Sequence, residues 1–195
     1  MSLSLDTYYH LFNHANGSEN LFRVNENYRF FLEKYSLFIP QVADTFAYCL
    51  MPNHIHLLVR IKSQLEIEQT FEKSESIQKL EGKISKQFSN LFSSYTQSYN
   101  KVYARKGSLF IPNFKRRKVE SKAYFMKLVH YIHSNPVHHG FVKNMADWTW
   151  SSYHAFLFLK PTRLKRDEVF EWFDGQEHFR FRHNTPANLA LDMDF

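Results

Sequence analysis

Two histidines, His54 and His56, stand one residue apart at the start of the apolar run "CLMPNHIHLLVRI", Cys49 to Ile61. In a strand they share one face while Ile55 points to the other. The run then carries an apolar face and a face bearing two potential metal ligands. Further along, in "KAYFMKLVHYIHSNPVHHGFV", Tyr131 and Asn135 are four residues apart and lie on one side of a helix. A tyrosine hydroxyl is a competent covalent nucleophile, and an amide oxygen is an acceptable ligand for a hard divalent cation. On spacing alone, structural histidines and a core tyrosine are the commoner outcome in a chain with 11 His and 17% aromatic residues. Chemistry requires these residues to converge.

The elements that must position them follow from periodicity and breakers. Tyr8 to Ala15 reads as a first strand, and "NENYRFFLEKYSLFI" as a helix from Asn25 to Ile39 closed by Pro40. Val42 to Leu50 and His54 to Ile61 form two antiparallel strands around the Met51-Pro52-Asn53 turn. A polar Gln/Glu/Ser-rich stretch follows. From about Ile77 to Ala104 the spacing of Ile84, Phe88, Leu91, Phe92, Tyr95 and Tyr99 is helical, and Gly107 breaks it. Another strand is expected next. A last helix begins near Glu120 and is expected to end before Pro136, which disfavours a helical conformation at Asn135. The order strand, helix, strand, strand, helix, strand, helix predicts an α+β fold, helices layered on one antiparallel sheet.

Composition restricts the class. The 195 residues are 44% hydrophobic, fitting a globular domain, and carry a net charge of +6. Lys101 to Lys118 holds seven bases (Lys101, Arg105, Lys106, Lys115, Arg116, Arg117, Lys118) and no acid, whereas residues 161–195 hold seven acids against five bases. A polyanionic partner would meet the first of these segments. Arg105, Lys106 and Lys115 to Lys118 are candidate phosphate contacts, with Tyr103, Phe110 and Phe114 as possible stacking surfaces. The rival arrangement is a solvated basic hairpin with buried aromatics. Trp148, Trp150 and Tyr153 are expected in the core. The lone Cys49 excludes an intramolecular disulfide and a cysteine zinc cage. No apolar run reaches membrane-spanning length and "MSLSLDTYYH" lacks the features of a secretory signal, so a cytoplasmic protein without a membrane partner is expected. No Walker-type loop is present, so no nucleotide cofactor is expected. The chain divides into a domain over 1–160 and a C-terminal extension over 161–195, in which "VFEWF" (Val169 to Phe173) predicts a short amphipathic helix packed on the body or on a second subunit.

"PNHIHLLV", a long helix, "GSLFIPNFKRRKV", "YIHSNPVHHGFV" and "DWTWSSYH" occur in that order. The ordered set resembles the REP-associated tyrosine transposases, within the IS200-like single-tyrosine HUH endonucleases, over roughly Tyr8 to Phe156. That resemblance implies a ferredoxin-like fold with the paired histidines on a central strand and the tyrosine on a helix across it. It implies that His54 and His56 bind Mg²⁺ or Mn²⁺ with Asn135 as third ligand, and that Tyr131 is the nucleophile. His133 competes as a ligand, but two residues beyond Tyr131 it points off the shared helical face. The implied activity is cleavage and rejoining of single-stranded or hairpin DNA through a 5′-phosphotyrosine, by a monomer or homodimer. A non-cutting hairpin binder would use the same groove. A cupin-like His-x-His metalloenzyme would instead need a further His or carboxylate and no Tyr131.

Overall fold

The computed structural model describes residues 3–71, 76–158 and 160–185. Four strands, β1 (Tyr8–His14), β2 (Ala43–Leu50), β3 (His54–Ile61) and β4 (Lys115–Lys118), form one sheet in the order β2-β3-β1-β4, every neighbouring pair antiparallel. Helix α1 (Asn25–Phe38) carries the chain from β1 to β2, and α2 (Gln64–Phe71) with α3 (Ile77–Val102) carries it from β3 to β4. Each crossover joins two strands that have one strand between them, which is the split β-α-β connection of ferredoxin-like folds. The expected α+β architecture is therefore present.

Helices cover both faces. On one, α1 and α3 bury Phe31, Phe88, Leu91 and Tyr95 against Tyr9, Leu11, Ile55 and Leu57 of β1 and β3. On the other, α4 (Lys122–His138) lays Phe125, Leu128, Val129 and Ile132 over Phe46, Cys49 and Leu58. Each such fully buried side chain contributes about 1.5–3 kcal/mol, so these aliphatic and aromatic contacts, rather than any polar group, anchor α4. Strand alternation decides the rest. With Tyr9 and Leu11 committed to the α1/α3 face, His10, Phe12 and His14 face α4, and so do His54 and His56.

Two elements differ from the sequence reading. The stretch after β3 contains α2, whose start is a capping box: Glu66 accepts from the Ser63 backbone at 2.8 Å while Ser63 Oγ accepts from the Glu66 backbone at 3.4 Å. Helix α4 also runs through Pro136 to His138 instead of stopping before it. A proline removes one N–H and crowds one carbonyl, a local cost. The packing of Ile132 and Asn135, both fully buried, holds the last turn in place.

The segment beyond α4 closes the second face. Trp150 carbonyl accepts from Leu50 N at 2.9 Å and Ser152 N donates to Tyr48 carbonyl at 2.9 Å, so this stretch lines the free edge of β2. Helices α5 (Tyr153–Leu157), α6 (Arg166–Trp172) and α7 (Gln176–Asn184) follow. The "VFEWF" segment falls in and just after α6, with Val169 and Phe173 buried and Trp172 4.3 Å from the Phe125 ring. Residues 186–195 of the expected extension lie outside the described residues.

A directed chain of hydrogen bonds ties α7 to β2. His183 Nδ1 donates to Phe179 carbonyl at 2.9 Å, so its Nε2 accepts from His133 Nδ1 at 3.0 Å, and His133 Nε2 accepts from Ser152 Oγ at 2.8 Å. This requires neutral rings. Burial, then the His130 charge, pushes His183 down to about 3. Since the unfolded ring keeps its ordinary value near 6.5, the neutral form's contribution is complete above that pH and is lost as pH falls toward 3. From about pH 6 to about pH 4.5 the unfolding free energy should fall less steeply in His183→Gln than in wild type, by up to about 1.4 kcal/mol per pH unit. Equal slopes in urea melts across that range would show that His183 titrates normally.

Candidate active site

The sequence-chosen residues converge. His54 Nε2 lies 2.9 Å from Asn135 Oδ1, the His54 and His56 rings are 5.2 Å apart and nearly perpendicular, and the Tyr131 ring stands edge-on to His56 at 5.5 Å. Strand β3 supplies the imidazoles by its period of two, and α4 supplies Tyr131 and Asn135 by one helical turn. His133 is on the far side of α4 with both ring nitrogens engaged by His183 and Ser152.

Three further residues belong to the cluster and were not singled out from sequence. His10 is fully buried, shares a hydrogen bond of 2.9 Å with His56 (Nε2 to Nδ1), and stacks on it. Phe12 stacks on both rings, and the His14 ring lies 4.7 Å from that of His54. The signal was present in the alternation His10, Phe12, His14, but only the β1–β3 register puts those residues opposite Leu58, His56 and His54.

Burial keeps the imidazoles neutral. It lowers His54 to about 4, opposed in part by the Asn135 amide, and it lowers His10 to about 3 with help from Arg117. His56 is pushed well below its ordinary value by burial and then by His10. Burial raises the Tyr131 phenol, and its hydrogen bond with Asn135 works in the opposite direction.

A divalent cation fits this donor set. His54 Nδ1 is 2.8 Å from Asn53 Oδ1 while its Nε2 faces Asn135 Oδ1. Amide oxygens only accept, and a neutral imidazole has one N–H, so one contact sets lone pair against lone pair. A cation held by His54 and Asn135 would resolve it, as would a turn of the amide. Among the described residues no three His, Cys, Asp or Glu side chains gather as a ligand set. Among the described residues a cupin-like centre thus lacks its third ligand, whereas two imidazoles and an amide are available.

Strand pairing divides the basic segment. Lys115 and Arg117 pair with Phe12 and His10 and therefore face α4, with Lys115 Nζ 5.9 Å from the Phe12 ring centre and Arg117 5.9 Å from that of Tyr124. Arg116 and Lys118 pair with Leu11 and Tyr9 and face the opposite way. Lys106 is exposed. Arg105 is occupied, bound to Glu19 at 2.8 Å, Asn100 at 2.9 Å and Ser108 carbonyl at 3.0 Å.

Comparison with known proteins identifies the family and the fold. Residues 6–135, from just before β1 through Asn135, match the family described as Transposase IS200 like. The chain belongs to the IS200-like transposase family. A provisionally named REP-associated tyrosine transposase of Haemophilus influenzae is 27% identical over 114 residues, 57% of this chain and 59% of that protein. The match thus spans about six-tenths of the relative's length. A solved structure of a REP-associated tyrosine transposase bound to a REP hairpin superposes with a TM-score of 0.56 and 18% identity, covering 80% of this chain and 82% of that one. The fold of this family member is therefore shared with that structure. Among the described residues no helix is long and apolar enough to cross a membrane.

Mn²⁺ titration followed by electron paramagnetic resonance tests the donor set without any DNA. Wild type should bind one ion, His54→Ala and His56→Ala should lose it, and Asn135→Ala should bind about tenfold or more weakly. Unaltered binding in both histidine variants would remove these residues from the site.

Proposed function

We propose that this protein cleaves and rejoins single-stranded or hairpin DNA through a covalent phosphotyrosine on Tyr131, with His54, His56 and Asn135 holding Mg²⁺ or Mn²⁺. The observation that carries this reading is the convergence of a buried phenol, two neutral imidazoles and an amide at one point on the sheet. When bound, the cation would polarise a non-bridging phosphate oxygen and offset the charge that repels an oxygen nucleophile.

The protein's own groups have defined tasks. Tyr131 loses its proton, its oxygen forms a bond to phosphorus, and the bond from phosphorus to the 3′ oxygen breaks. That oxygen leaves with a proton as a 3′-hydroxyl, and the 5′ end stays on the enzyme. Return attack by a 3′-hydroxyl restores the phosphodiester and the phenol, so no nucleotide is consumed. The Tyr131 ring is held by packing against His56 and His10, which fixes its approach direction. Neutral ligands leave a cation's charge undiminished for the phosphate. Lys115 and Arg117, on the Tyr131 face of β4, are placed to neutralise neighbouring phosphates. Lys106, Arg116 and Lys118 would meet more distant ones. Arg105 is assigned a structural part, since Glu19 and Asn100 already hold it.

Replacing Tyr131 with Phe keeps the packed ring and removes the hydroxyl. With labelled hairpin DNA and Mn²⁺, wild type should give a denaturation-resistant protein–DNA adduct and Tyr131→Phe none. An adduct that persists, or peptide mapping to another tyrosine, would sink the mechanism. For phosphate contacts, Lys115→Ala with Arg117→Ala should lower the logarithmic salt slope for single-strand binding by about 0.7 per lost contact. A slope equal to wild type would take the DNA away from this face.

A further inference from the structure

On the face opposite Tyr131, a groove of about 980 Å³ runs between α3 and the 107–114 loop and ends at Arg116 of β4. Its size is near the upper end of pockets that enclose small organic ligands, roughly 300–1,000 Å³. The wall contributed by α3 is unusual for a helix facing solvent. From Gln87 to Asn100 this helix has no charged residue, whereas Lys79, Glu81, Lys83 and Lys86 precede it. Ser89, Ser93, Gln97 and Asn100 line the groove. Serine and asparagine are poor helix formers and forgo the ion pairs that normally support an exposed face.

The remaining walls differ in chemistry. Phe92 and Phe114, rings 5.7 Å apart and each part-exposed, supply aromatic surface, and the Arg116 guanidinium lies 6.0 Å from the Phe114 ring centre. Asn13 of β1, nine-tenths buried, also lines the groove. Its Oδ1 accepts from His14 N at 2.9 Å, which fixes the amide and leaves its NH₂ without a partner among the described residues. Amides and hydroxyls read base edges, aromatic faces stack on bases, and a lone cation meets a phosphate. Among the described residues Arg116 is the one charged side chain lining the groove, and its field is complementary to nucleic acid.

We infer that this groove binds unpaired nucleotides of the DNA substrate, and that the strand crosses the β4 edge between it and the Tyr131 face. The inference rests on the DNA-processing reading above. The alternation of β4 supports the crossing, because Lys115 and Arg117 face one side and Arg116 and Lys118 the other, so a strand passing over the edge meets cations throughout.

The test uses the full chain and a hairpin with or without an unpaired extension, the extension carrying 5-iododeoxyuridine. Ser93→Glu places a carboxylate in the groove on a good helix former, and Gln78→Glu, on α3 outside the groove, is the charge control. The groove variant should bind the extended hairpin about tenfold or more weakly, the size of losing a stacked base, with the control unchanged. Photo-crosslinks in wild type should map to peptides within residues 85–100 or 107–116. Wild-type affinity in the groove variant, or crosslinks only elsewhere, would overturn this site while leaving the Tyr131 reading intact. Failure of wild type to bind any hairpin would overturn both.

Discussion

The register of the β1–β3 ladder is the constraint on which the rest of this structure depends. Phe12 opposite His56 and His14 opposite His54 place two rows of rings on one face of an antiparallel pair. A slip of one residue would turn every side chain of β1 to the other face. Tyr9 and Leu11 would then leave the core under α1 and α3, and His10 would be buried among aromatic and aliphatic groups with no partner. The hydrophobic pattern of one face thus enforces the polar constellation of the other.

That arrangement asks a buried interior strand to carry imidazoles, and the physical solution is neutrality. Charged histidines would have to be desolvated without counterions, so burial drives His10, His54 and His56 to the uncharged form. Neutral rings are also the form that ligates cations. The same condition recurs behind α4, where the neutral rings of His133 and His183 each donate one N–H in a chain that starts at Ser152 Oγ and ends on the Phe179 carbonyl. Helix α4 is therefore held between two sets of neutral histidines, with its apolar contacts to Phe46 and Leu58 supplying the adhesion. Its polar residues are thereby set by packing rather than by their own hydrogen bonds.

The edge strand has a different task. With four residues, all cationic, β4 is a poor template for another strand and a good one for a polyanion. Its two faces serve opposite sides of the sheet, so a cluster that is continuous in sequence is divided in space. Arg105, in the same basic stretch, is diverted to Glu19 and holds the loop that follows α3.

Much of this was legible in the residues themselves. Short-range periodicity is enough to define β3, α1 and α3 and to put His54 with His56, and Tyr131 with Asn135, on common faces, but it was the ordered set of motifs and its resemblance to the IS200-like family that singled these four residues out. The first turn of α2 was also legible in principle, as the capping pair Ser63 and Glu66. Pro136 misled because local backbone preference is weaker than the packing that surrounds the last turn of α4. His10, His14 and the opposed directions of Arg116 and Arg117 could not be assigned from sequence, since a strand's pattern shows which residues share a face but not which partner it meets or which side of the sheet is which. Those facts are set by pairing between β1, β3 and β4 across about forty to a hundred residues of chain, and only the tertiary structure decides them, because such pairing is fixed by the sum of many contacts and by no single local signal.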